Sequence, residues 1–342
     1  MSRHIVQHHF VTPEVKTHFN PDNVKLAEDF SLYSASIDKS PATIVSYACD
    51  LNFIWFWNLM YNDNKYFVNW TKSDIIRFQN WCLEDCQHSS ARIHRLKSTL
   101  ASLSNYVENI RDDEFPDFRK IVRRIPNPPK TDRLTKSVFE MKDINQLLGQ
   151  LTFQGEYEKA CCLALAVCSG RRKAELLRFR ISDFTEEHIV CNGALYKSSA
   201  IRTKGSGRAG KPLECYVVVK HFTPYLERWI AYRKRHFIES DVLFPTSKDP
   251  NISITTDALD NWARQFSAVL PLPFYWHAMR HLTATNFKRA GVPDSVIQEY
   301  FGWSDSSMVA HYNDLAKEET FAMYFNPDGT YNAANGIVVD VM

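Results

Sequence analysis

The chain has 342 residues, enough for two domains at roughly 150 residues each, and its 44% hydrophobic and 23% charged content is that of a packed protein, not a disordered one. The longest wholly apolar run, Ala160 to Cys168, falls far short of the ~18 residues of a membrane helix, and no apolar stretch follows the opening Met-Ser-Arg-His as a secretory signal requires. Eight scattered cysteines, two of them adjacent at 161 and 162, fit reduced thiols in a cytoplasm better than a disulfide scaffold, while a net charge of +2 leaves the partner open.

Residues 1–24 are His-rich and irregular and read as an N-terminal arm. His4, His8 and His9 have no Cys or carboxylate at ligand spacing, so no metal is expected there. A helical domain is expected over residues 25–122. Ser40-Pro41 is a helix start with proline at the first helical position, and Ile44, Tyr47, Ala48, Leu51, Ile54 and Trp55 then share one helical face. Thr71 with Asp74 has the form of a capping box leading into Ile75, Phe78 and Cys82. The cleanest stripe is Ile93, Leu96, Leu100, Leu103 and Val107, in steps of three and four, on a helix read over Ser90 to Val107. Trp55, Trp57, Trp70 and Trp81 read as core.

Residues 123–137 form a basic, proline-rich linker. Three prolines fall within residues 126–129, which forbids a helix there. Overlapping it, the run from Arg119 to Lys136 carries Arg119, Lys120, Arg123, Arg124, Lys130, Arg133 and Lys136 against a single acid, Asp132, so it could track a polyanion. From residue 138 the pattern is mixed. Ala160 to Cys168 reads as a buried helix ended by Ser169-Gly170, with a helix restarting over Arg172 to Leu177. Residues 188–191 and 215–219 read as short strands around a Gly/Lys loop, and helix resumes from His277.

Two tempting motifs fail. Gly205 to Lys211 matches the first seven positions of a phosphate-binding P-loop, but Pro212 replaces the hydroxyl that must hold Mg²⁺, and a strand follows where a helix should open. His277 and His281 have the spacing of a helical zinc pair, but Ala278 stands where a zinc protease carries Glu. What remains is Arg172 with Glu175 at i, i+3 after a glycine break, His277 with Arg280 at the same spacing, and Tyr312 near the carboxyl end on a short helix capped by Ser304 or Asp305.

Together these residues resemble the tyrosine recombinases, the phage-integrase group that includes the Cre and Xer proteins. Gly170-Arg171-Arg172-Lys173-Ala174-Glu175-Leu176 is similar to the G-x-R-x-x-E-L box, whose register selects Arg172 over Arg171. His277-Ala278-Met279-Arg280 is similar to the H-x-x-R box. Gly302-Trp303 resembles the later Gly-His box with Trp in place of His, and Tyr312 stands nine residues further on. Lys204 resembles the family's hairpin lysine, with Lys211 of the same loop as the alternative.

The resemblance implies a mainly α fold with a small β-sheet: an N-terminal all-α core-binding domain, an α+β catalytic domain over residues 138–320, and a C-terminal tail over 321–342 that docks on a neighbouring subunit. It also implies a chemistry. Arg172 and Arg280 grip the scissile phosphate, because guanidinium holds phosphate oxygens in a planar, permanently charged fork. Trp303 donates its indole N–H to a phosphate oxygen, Tyr312 is the nucleophile, and His277 takes its proton. Lys204 protonates the leaving 5′-oxygen, and Glu175 orients the first arginine or the histidine from behind. A 3′-phosphotyrosyl link conserves the phosphodiester energy, so no cofactor and no metal are expected. The implied partner is double-stranded DNA, bound by a homo-tetramer on two sites, with accessory DNA-bending or directionality factors possible in principle and no membrane. Arg92 and Arg95 are expected to reach the major groove, and Arg123, Arg124 and Lys130 the backbone. The expected function is site-specific recombination or integration in a cytoplasmic, DNA-associated setting. The alternatives are a catalytically silent DNA-binding relative of the same fold and a type IB topoisomerase.

Overall fold

Capping chemistry sets where the helices begin. The computed structural model describes residues 11–129, 139–203, 205 and 209–312, and these form two compact units, one from residues 11–129 and the other from residues 139–203 and 210–312. In the first unit Thr12, Asn20, Ser40, Thr71 and Ser89 each turn a side-chain oxygen toward a first-turn amide. They start α1 (Pro13–Lys16), α2 (Pro21–Ser36), α3 (Pro41–Tyr61), α4 (Lys72–Glu84) and α5 (Ser90–Ile110). The Thr71 capping box is present: the Thr71 amide donates to Asp74 Oδ2 at 2.7 Å, and the Asp74 amide to Thr71 Oγ1 at 3.4 Å.

The α5 stripe of Ile93, Leu96, Leu100, Leu103 and Val107 is wholly buried against Leu51, Phe53, Ile54, Trp55, Trp57 and Phe78. Trp55, Trp57 and Trp70 are core as expected, and Trp81 is half-buried beside them. On α3 Ala48 is exposed and the polar Asp50 is buried in its stead. The stretch read as an arm is helical in part, because Pro13 and Pro21 sit at first helical positions behind good caps. Phe19 and Asn23 are buried there, and Asn23 accepts from the Phe67 amide at 2.8 Å and donates to the Lys65 carbonyl at 2.8 Å. His4, His8 and His9 lie outside the described residues.

The second unit is built around α7 (Tyr157–Ser169), every residue of which from Ala160 onward is buried. Around it pack α6 (Met141–Phe153), α9 (Val219–Arg235) and α11 (Trp276–Arg289). The remaining helices are α8 (Lys173–Leu176), α10 (Thr256–Ser267), α12 (Asp294–Phe301) and α13 (Ser307–Tyr312). A three-stranded antiparallel sheet runs in the order β1 (Ile189–Val190), β2 (Leu195–Lys197), β5 (Tyr216–Val218). A separate hairpin pairs β3 (Ile201–Thr203) with β4 (Lys211–Leu213) in the register Arg202 opposite Pro212. The strands are shorter than their apolar runs, since Cys191 turns left-handed at φ 53° and Val219 already opens α9. The hairpin strands were not legible as such, and Pro212 is tolerated because β4 has a partner on one side only. Among the described residues no helix is long and apolar enough to cross a membrane. The tail over 321–342 and the linker from Lys130 to residue 138 lie outside the described residues.

Candidate active site

Four chain segments meet at the carboxyl end of α7. Gly170 terminates that helix in the left-handed conformation, φ 58°, and so turns Arg171 and Arg172 away from the α7 axis. Arg172 precedes α8 instead of lying within it. Its amide donates to Glu175 Oε2 at 3.0 Å and its Nη1 to Glu175 Oε1 at 3.0 Å. This reciprocal cap fixes the arginine against a carboxylate that is only 2% exposed, and leaves the guanidinium itself about a third exposed. Burial alone would raise the Glu175 carboxyl; the Arg172 amide and the guanidiniums of Arg172 and Arg280 outweigh it and hold it below its ordinary value.

The helix α11 brings His277 and Arg280 to the same place. Arg280 is fully buried, with Nη1 donating to the Gly170 carbonyl at 2.8 Å and Nη2 to the Phe301 carbonyl at 3.4 Å. Three rings surround it: Cζ lies 4.7 Å from the Phe301 centroid, 5.1 Å from Trp303 and 5.5 Å from Tyr312. Burial, with Arg172 and Arg171 alongside, pulls its pKa down to about 9, so it still carries its charge at neutral pH. The expected two-pronged grip of Arg280 on a phosphate is thus modified: its terminal nitrogens already serve backbone carbonyls, and Nε has no acceptor among the described residues.

The last two groups follow from α12. Gly302, left-handed at φ 63°, ends it and delivers Trp303, which stacks on Phe301 at 4.5 Å and on Tyr312 at 4.9 Å between centroids. The Trp303 indole nitrogen is buried and has no acceptor among the described residues. Of the two candidate caps for the next helix, Asp305 acts, accepting from the Ser307 amide at 2.8 Å. Tyr312, at the end of α13, sets its hydroxyl 2.8 Å from His277 Nε2. That contact is the geometry of a phenol facing a base, with Nε2 as acceptor when the ring proton sits on Nδ1.

The structure therefore brings together Arg172, Glu175, His277, Arg280, Trp303 and Tyr312. Lys204 lies outside the described residues. Lys211 is exposed on β4, and its hairpin is tied beside α8 by Arg178, whose Nη1 donates to the Arg202 carbonyl. Sequence reading missed two members. His281, dismissed as half of a zinc pair, lies 4.5 Å from the Tyr312 ring, as its i, i+4 spacing from His277 allows. Arg171 is buried and bonded to the end of α12. No group of three or more metal-binding side chains occurs among the described residues.

In the helical unit Arg92 and Arg95 are not freely extended side chains. Asp50, 1% exposed, accepts from Arg92 Nη1 at 2.6 Å and from Arg95 Nε and Nη2 at 3.1 and 3.0 Å. Arg95 remains about half exposed, whereas Arg92 is largely covered. Arg123 and Arg124 are exposed and, with Lys72, Arg119 and Lys120, line a groove of about 620 Å³ whose one acid is Glu108. Lys130 lies outside the described residues.

A sequence model described as the phage integrase family matches residues 137–319. The chain is 31% identical over 198 residues to the SPbeta prophage-derived recombinase-like protein YomM of Bacillus subtilis (strain 168), and spans 57% of that relative's length and 57% of its own. Its fold is similar to that of the XerH site-specific recombinase bound to palindromic difH substrate (TM-score 0.64, 18% identity, 82% of this chain and 80% of that one). It is also similar to a lambda integrase dimer bound to a COC′ core site (TM-score 0.60, 12% identity, 85% and 95%). The Tn1549 transposon integrase in complex with circular intermediate DNA is a third (TM-score 0.58, 15% identity, 86% and 97%).

Proposed function

The chain belongs to the phage integrase family of tyrosine recombinases, and on that footing we propose that it cleaves and rejoins DNA at specific sites through a covalent 3′-phosphotyrosyl intermediate. The observation that carries this reading is the Tyr312 hydroxyl 2.8 Å from His277 Nε2, with the Arg280 guanidinium beneath the phenol ring. A phenol is a weak acid at neutral pH, so its attack on phosphorus needs a base at that distance.

In the proposed step the Tyr312 oxygen attacks phosphorus and its proton passes to His277. The P–O bond to the 5′-oxygen breaks, and that oxygen takes a proton from the hairpin lysine, Lys204 or Lys211. Charge growing on the non-bridging oxygens is met by Arg172, which offers the outward part of its fork, by Arg280 and by the Trp303 indole N–H. Glu175 holds Arg172 in place. The reverse reaction on a second 5′-hydroxyl reseals a strand without nucleotide hydrolysis. Arg123 and Arg124, on the basic groove, would neutralise backbone phosphates, and Arg95, braced by Asp50, would present its free edge from α5. Four protomers on two DNA sites would exchange strands, with accessory proteins setting direction.

The test uses nicked suicide duplexes tiled across the DNA flanking the gene, incubated with the full chain in EDTA without ATP and resolved on a denaturing gel. A protein–DNA adduct is expected from the unsubstituted chain and none from Tyr312→Phe. An adduct that persists in Tyr312→Phe refutes the nucleophile assignment. Relaxation of supercoiled DNA lacking any such site would favour a topoisomerase, and binding without adduct a silent relative.

A further inference from the structure

We infer that Arg171, which sequence register leaves without a role, is a positioning residue for strand cleavage: it locks the carboxyl end of α12 and through it sets Trp303. The inference rests on the recombinase reading above. It follows from a full accounting of the four carbonyls that any helix leaves unpaired at its last turn. On α12 these belong to residues 298–301. The Trp303 amide donates to the Gln298 carbonyl at 3.0 Å and the Gly302 amide to the Glu299 carbonyl at 3.0 Å, which closes half of them within the turn itself. The Tyr300 and Phe301 carbonyls remain. Arg171 takes both: Nη2 donates to Tyr300 and Nη1 donates to Phe301 at 3.3 Å. Arg280 adds a longer contact to Phe301 at 3.4 Å.

A cation at a helix carboxyl end is favoured by the backbone dipole, and more so when water is excluded. Arg171 is 1% exposed, and the acceptors of its two terminal nitrogens are backbone carbonyls, not carboxylates. Its own start is fixed as well, since its amide donates to Ser169 Oγ at 3.3 Å, and the Tyr300 hydroxyl donates to the Cys168 carbonyl at 2.5 Å. The end of α7 and the end of α12 are thus one assembly, with Arg171 as its bolt. Trp303 is the second residue after α12, and its ring is held between Phe301 and Tyr312. A shift in the last turn of α12 therefore moves the indole N–H and the nucleophile's stacking face together.

Single-turnover cleavage of the suicide duplex that forms the adduct tests this with Arg171→Met, Arg171→Lys, Trp303→Ala and the double variant Arg171→Met with Trp303→Ala. Arg171→Met is expected to slow cleavage about 10- to 100-fold while the half-saturating DNA concentration stays within about twofold. Arg171→Lys, which keeps the charge but reaches fewer carbonyls, should slow cleavage only several-fold. The double variant should be no slower than the slower single one within about threefold, because both changes disable the same indole. Unchanged cleavage in Arg171→Met, a matching loss of DNA affinity, or multiplicative losses in the double variant would each overturn the assignment. If Arg171→Met does not fold, the same affinity and coupling comparison is made on Arg171→Lys, whose expected loss is several-fold. Failure of the unsubstituted chain to form any adduct sinks the recombinase reading itself, and this inference with it.

Discussion

Replacing Gly170 by alanine should damage the site far more than the same replacement at Gly155, although both glycines are left-handed. Their φ values are +58° and +77°. At Gly155 a new Cβ meets nothing within 4 Å, so the cost is the backbone strain of about 1–2 kcal/mol, offset by the ~0.4–1 kcal/mol that alanine gains by restricting the unfolded chain. At Gly170 the Cβ would fall on the Phe301 ring, with Cζ at 2.9 Å and Cε1 closer still. That ring cannot swing away, being fully buried with Trp303 stacked on it and the Arg280 guanidinium 4.7 Å from its centroid. Overpacking of this kind adds about 1–3 kcal/mol. The expected totals are thus roughly 1 kcal/mol at Gly155 and 2–4 kcal/mol at Gly170. Urea unfolding of the full chain, read by hydrogen exchange so that residues 139–312 are followed separately, measures both. Cleavage should fall with Gly170→Ala and persist with Gly155→Ala. Equal destabilisation of the two variants within about 0.5 kcal/mol would refute the claim that Gly170 packs directly beneath the aromatic stack.

Asp50→Ala should destabilise the helical unit by about 3 kcal/mol, because it strips two guanidiniums of a shared buried carboxylate; a shift in urea midpoint equivalent to less than ~1 kcal/mol would contradict this. Burial on α7 pushes Glu158 up to about 7. Its contribution to stability is therefore complete below the ordinary carboxylate range and is lost as pH rises through about 7. Glu158→Gln should flatten that fall, and an unchanged stability profile between pH 5 and 8 would count against it. Burial also raises the thiols of Cys82, Cys161, Cys162 and Cys168. With Ellman's reagent at pH 8 the exposed Cys191 should react first and these four only after unfolding; early labelling of any of the four would show that α7 or α4 opens readily.

Much of the site is legible in the sequence because its members sit next to helix breaks. Gly170 and Gly302 mark where α7 and α12 stop, and the residues just beyond them, Arg172 and Trp303, are thereby pointed at one place. The mainly helical fold was equally open to reading from the α5 stripe, whose five apolar positions are all in the core. What the sequence hides is the pairing of charges across distance. Nothing local links Asp50 to Arg92, 42 residues away, or Arg171 to the Phe301 carbonyl, 130 residues away. Lys97 is a third case: on α5 it looks like a solvated face, yet it is buried, donating to Gln79 Oε1 at 2.7 Å and to the carbonyls of Ile125 and Pro126. A buried cation is tolerable only with such acceptors, and those are set by tertiary structure. The strands β3 and β4 that flank the hairpin lysines escaped for the opposite reason, since strands of three residues with a proline carry no periodic signal.

The proposed cleavage requires one covalent bond between protein and DNA. Digesting the protein–DNA adduct with protease and nuclease and sequencing the nucleotide-bearing peptide by mass spectrometry locates it. A 3′-phosphate ester on the Tyr312 hydroxyl, with a free 5′-hydroxyl on the released strand, is the expected result. A nucleotide attached to any other residue, or a 5′-phosphate on the released end, would contradict it.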